Sequence, residues 1–98
     1  MEYIKRLSKV PSFSKNGMDG YSFDLDDKNI SIDIEDVYKG HDKYCINTKS
    51  THIYYVLEGK GTFKINGELY NVQEGDIIEI PKNTEFVFKG KMKLFLVM

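Results

Sequence analysis

The sequence predicts an all-β fold. Apolar and polar residues alternate with a period near two, turn residues break the chain at short intervals, and nothing between residues 19 and 98 sustains helical apolar spacing. Tyr21, Phe23 and Leu25 alternate with Ser22 and Asp24; Ile30, Ile32 and Ile34 alternate with Ser31, Asp33 and Glu35. Successive strand side chains point to opposite faces, so each stretch reads as a strand with its isoleucines or aromatics on the dry face. Asp26-Asp27-Lys28-Asn29 between them has turn chemistry, giving a first hairpin.

The second half repeats the pattern. His52 to Leu57 reads as a strand ending at Gly59-Lys60-Gly61, followed by Thr62 to Ile65 and then Asn66-Gly67. Asn-Gly suits a two-residue type I′ turn, which pairs Ile65 with Glu68 and Phe63 with Tyr70. Glu74-Gly75-Asp76 leads into a strand from Ile77 to Ile80, and Pro81-Lys82-Asn83-Thr84 ends it. Phe86 to Phe88, a turn at Lys89-Gly90-Lys91 and a closing run from Leu94 to Met98 complete the reading. That run is apolar on both faces, which predicts burial on both sides, within the fold or against a second subunit. Ser8 to Gly17, around Pro11, reads as irregular with room for one short helical turn. Many short strands with glycine-rich turns indicate one sandwich or barrel domain over residues 1–98.

Composition bounds the function. The 98 residues are 41% hydrophobic and 30% charged with a net charge of −1, the balance of a globular protein without a nucleic-acid footprint. Met1 to Leu7 lacks a secretory apolar run, and no stretch has the length to span a membrane. A lone cysteine, Cys45, rules out an internal disulfide. Together these predict a cytoplasmic protein with no membrane partner. The acidic Asp24 to Asp27 stretch is a solvated turn rather than a calcium loop, since Lys28 takes a ligand position and the glycine is missing.

Two stretches carry a family resemblance. Tyr54-Tyr55-Val56-Leu57-Glu58-Gly59-Lys60-Gly61, continuing to Asn66-Gly67-Glu68, resembles the end of the first cupin motif, placed at about residues 40–61. Glu74-Gly75-Asp76-Ile77-Ile78-Glu79-Ile80-Pro81-Lys82-Asn83-Thr84 resembles the second, at about 75–90. The resemblance implies a double-stranded β-helix, or jelly-roll, barrel. It also implies where a metal would sit in a metal-binding cupin: Cys45, Asn47, His52 and Phe86 fall at the ligand positions. Asparagine is a poor transition-metal ligand and phenylalanine is none, so no metal or other cofactor is expected. The alternative metal set is His41, Cys45 and His52, one ligand short of a closed tetrahedral site.

The candidate ligand site is therefore a metal-free pocket. With His52 inward, alternation turns Tyr54 and Val56 inward too, facing Phe86 and Phe88 and near Cys45 and Asn47. An aromatic wall with a few polar tips suits a small ligand; the competing expectation is a barrel filled by those same rings. His52 is the candidate acid or base, because imidazole titrates near neutrality. Cys45 lacks a neighbouring cation or helix N-terminus to make it a nucleophile. The sequence thus predicts a homodimeric small cupin binding a small polar or aromatic molecule, sugar- or nucleotide-like. The alternatives are a metal-free isomerase or epimerase using His52, and a filled interaction module.

Overall fold

The computed structural model of the chain describes residues 2–98, and among them there is no helix. None is therefore present that is long and apolar enough to cross a membrane. The first strand, β1 (Phe13–Lys15), folds onto β2 (Met18–Ser22) through Asn16-Gly17. Both turn residues have positive φ, 56° and 72°, as a type I′ turn requires. The stretch from Ser8 to Gly17 is thus half of a hairpin and not a helical turn. β2 pairs with β3 (Ile32–Val37), with Tyr21 opposite Ile34 and Ser22 opposite Asp33. This is the expected first hairpin, but Phe23 to Ser31 form its connection, so β2 begins and ends earlier, and β3 begins and ends later, than the apolar alternation implies.

After the short β4 (Cys45–Ile46) comes β5 (His52–Ile65), which turns at Asn66-Gly67 into β6 (Glu68–Gln73) with Ile65 opposite Glu68 and Phe63 opposite Tyr70. β7 (Ile77–Ile80) and β8 (Glu85–Val97) complete the chain. The glycines at 59–61 and 89–91 do not end strands. β5 and β8 run antiparallel from Ile53–Val97 to Ile65–Phe86, forming one long ribbon. It bends in the middle, where Leu57 is left over as a bulge between the Val56–Leu94 and Glu58–Lys93 pairs. Beyond the bulge Gly61 lies opposite Gly90, and a Cβ on Gly90 would stand 2.6 Å from the Gly61 Cα. These glycines permit a close approach of two backbones.

The bent ribbon divides the sheet into two layers. Its far half carries β3, β2 and β1 on one side and β7 on the other; its near half carries β4 and β6. Val56, Phe63 and Leu94 are fully buried between the layers, with Tyr54, Ile80, Phe86, Phe88, Met92 and Leu96 around them. The closing run from Leu94 to Met98 is not equally buried on both sides. Leu94 and Leu96 face the core, whereas Phe95 and Val97 lie half-buried on the outer face.

One assignment of faces is reversed. On β3, Asp33, Glu35 and Val37 point inward, aligned with the buried Leu96, Leu94 and Met92 of β8, while Ile32 and Ile34 point outward. On β5 the expected faces hold: His52, Tyr54 and Val56 are buried and Ile53 and Tyr55 exposed.

Candidate functional site

Inside the barrel the two layers present different chemistry. The near layer contributes a column of rings. Phe63 and Phe88 stack with centroids 5.0 Å apart and Phe86 and Phe88 at 6.4 Å. Tyr54, from the far layer, leans against Phe63, Phe88 and Phe86 at 5.4, 5.5 and 6.1 Å. The rings gather because β5 and β8 pair Phe63 with Phe88 on one inward face. They pack against one another in the barrel interior.

A polar group adjoins the rings, with Asn47 following β4 and His52 opening β5. Asn47 takes its orientation from its own turn, because its Oδ1 accepts from the backbone N–H groups of Lys49 at 2.9 Å and Ser50 at 3.0 Å. The amide nitrogen is thereby aimed at His52 and donates to its Nε2. With Nε2 accepting, the ring proton resides on Nδ1, which faces the Tyr54 hydroxyl at 3.4 Å. The Tyr54 oxygen accepts there, leaving its own O–H to donate into the interior. Burial holds the His52 imidazole below its usual pKa, opposed by the Asp33 carboxylate. Burial also pushes the Tyr54 phenol well above its ordinary value. Near neutral pH this is a neutral Asn–His–Tyr relay with both ring nitrogens engaged.

Cys45 lies opposite Phe86, half-buried, with Sγ 3.9 Å from the Lys43 carbonyl. Burial raises its thiol pKa, in keeping with an inert thiol. His41 sits at the rim, its ring 6.5 Å from Phe88 and its Nδ1 accepting from the Lys43 N–H at 3.1 Å. Among the described residues no group of three or more His, Cys, Asp or Glu side chains stands together to hold a metal ion. The alternative set of His41, Cys45 and His52 is therefore not assembled: Asn47 and Tyr54 engage the His52 nitrogens, and Lys43 engages the other two.

Sequence reasoning missed the acids. The alternation places Asp33 and Glu35 on the wet face, yet both enter the barrel beside this relay. Burial raises the Asp33 pKa while Ser22 bonds its carboxylate and lowers it. A cleft lined by Ser22, Lys28, Ser31, Asp33 and Met98 reaches this end of the barrel. The signal that could have found the acids was Val37, the apolar residue in phase with them at the end of β3.

A bent double layer of antiparallel strands with its polar groups on the inner wall defines a small jelly-roll barrel. The chain belongs to the cupin family, whose Cupin domain pattern matches residues 39–97. No curated protein sequence matches it significantly. Among solved structures it is similar to Streptomyces Pac13, a nucleoside dehydratase, at 28% identity and a TM-score of 0.90, over 99% of this chain and 81% of that one. Single-residue variants of Pac13 with uridine, one of a histidine to glutamine and two of a tyrosine to phenylalanine, match with the same TM-score; the first of them is 29% identical over 99% of this chain and 80% of its own. KdgF from Halomonas shares the fold at 14% identity and a TM-score of 0.74, over 89% of this chain and 83% of its own.

Proposed function

We propose that this cupin binds a nucleoside in the barrel without a metal, the base against the phenylalanine column and the sugar toward the polar inner wall. One observation carries the reading. The histidine and two tyrosines substituted in the uridine-bound Pac13 variants are spaced along Pac13 as His41, Tyr54 and Phe88 are spaced along this chain. Here those three residues form one contact group, with Phe88 touching both His41 and Tyr54. Phenylalanine at the third position is also the residue of a Pac13 variant that holds uridine, which supports a nucleoside fitting beside Phe88. The ring column supplies stacking area, and the free Tyr54 O–H supplies a directed donor.

Calorimetry with uridine tests this. One saturable site per chain is expected, weakened about 5- to 150-fold in Tyr54→Phe and in His52→Ala, the usual effect of one lost buried hydrogen bond of about 1–3 kcal/mol. The second reading, dehydration of the bound nucleoside, is favoured by the histidine and first tyrosine retained at His41 and Tyr54. Mass spectrometry of uridine after incubation decides it: loss of one water that disappears in His41→Gln supports catalysis, and unchanged uridine leaves a binding protein.

A further inference from the structure

Glu35 is 6% exposed, and its Oε1 is the one buried side-chain oxygen or nitrogen without a hydrogen-bond partner among the described residues. A buried carboxyl left unpartnered is costly, and its neighbours do not relieve it. Across the sheet it faces Gly20 on β2, which has no side chain to offer, and Leu94 on β8. The Phe13 ring covers Gly20. The titratable groups around Glu35 are Asp33 on its own strand, Tyr54 on β5 and Cys45 on β4; Lys15 on β1 acts on Cys45 and forms no ion pair with Glu35. None of them is a cation able to offset a buried carboxylate. Burial, reinforced by Asp33, raises Glu35 to about 7.

The inner wall therefore holds an acceptor with nothing to accept, on the side of the barrel away from the phenylalanine column. With the base against the phenylalanine column, as proposed above, the sugar faces this wall. We propose that Glu35 is the acceptor for a sugar hydroxyl of the bound nucleoside, an assignment that rests on the nucleoside reading above. A hydroxyl brings its own donor and no charge, which suits an interior without a cation. Because a donated hydrogen bond favours the ionised carboxylate, ligand affinity rises with pH. A group titrating near 7 when free and well below when bound gives roughly a tenfold gain between about pH 6 and pH 8.

The test is calorimetry of wild type and Glu35→Gln with uridine, its 2′-, 3′- and 5′-deoxy analogues and free ribose, alongside melting of both unliganded proteins at about pH 8. Expected are a loss of at least about tenfold for uridine in Glu35→Gln and a flat pH profile in that variant. One deoxy analogue should bind wild type as weakly as uridine binds the variant, with no further loss when both changes are combined. Unliganded Glu35→Gln should melt no lower than wild type. Uridine binding unaffected by Glu35→Gln, additive losses, or a marked fall in melting temperature overturns the Glu35 assignment and leaves the nucleoside reading standing. Glu35-dependent binding of ribose without uridine binding keeps the assignment and overturns the nucleoside reading. Binding of none of these compounds overturns both.

Discussion

β3 and β5 both send every second residue into the barrel, and they place opposite chemistry there. In β5 the inward set is His52, Tyr54 and Val56, and the pattern builds the core as expected for a strand with one dry face. In β3 the inward set is Asp33, Glu35 and Val37, and the isoleucines face out. Register is shared: Glu35 and Val56 flank the same residue, Leu94, from either side. The contrast separates two duties within one inner wall. β5 and β8 supply the packing that holds the barrel closed, whereas β3 places polar groups inside at a cost in stability, and such costs concentrate at functional sites.

The largest effect should come from the packing strand. Phe63 is fully buried within the ring column, so Phe63→Ala should lower unfolding free energy by about 3–5 kcal/mol in denaturant titrations. A loss below about 1 kcal/mol would mean that the column does not hold the layers together.

The second prediction has the opposite sign. The Glu35 carboxyl rises from an ordinary 4.5 to about 7 in the folded chain. The folded state therefore holds that proton more tightly than the unfolded state. Wild type loses stability as pH climbs from about 4.5 to 7, and the loss is complete above 7, on the order of 3 kcal/mol. Glu35→Leu should lack this slope and exceed wild type at pH 8, with its advantage shrinking as pH falls from about 7 to 4.5 and constant below. A variant less stable than wild type at pH 8 would mean that Glu35 serves the fold.

How far the sequence carried follows from the same contrast. The Asn66-Gly67 turn and its register were legible because alternating residues flank it on both sides. Asn16-Gly17 has the same chemistry, but Ser14, Lys15 and Asp19 around it give no such pattern. Gly61 and Gly90 read as turns because a local sequence does not reveal which residue will lie across the sheet. His52, Tyr54, Phe86 and Phe88 were legible as inward-facing. Glu35 was not, since an acid between isoleucines reads as the wet face until the opposite strand is known.

The outward face of β3 yields the third prediction. Tyr21, Ile34, Phe95, Tyr55 and Ile77 line up in one row across five strands of the outer layer. Exposed apolar surface of this kind marks interfaces, and a homodimer is the expected assembly. Wild type should sediment as a dimer at micromolar concentration and Tyr55→Glu as a folded monomer. A monomeric wild type would assign this row no role in assembly.

The smallest effect belongs to the turn. Gly67 has φ of 84° and open space around it, so Gly67→Val should cost about 1–2 kcal/mol through backbone strain alone. A neutral result would mean that the turn relaxes out of its type I′ shape.

The central claim, that the reversed face of β3 and the ring column enclose a nucleoside, is met most directly by following backbone amide resonances during a uridine titration. The account predicts saturable shifts concentrated at Glu35, His41, His52, Tyr54 and Phe88, with the outward Ile34, Tyr55 and Ile77 unmoved. Absence of shifts at millimolar uridine, or shifts confined to the outer face, would contradict it.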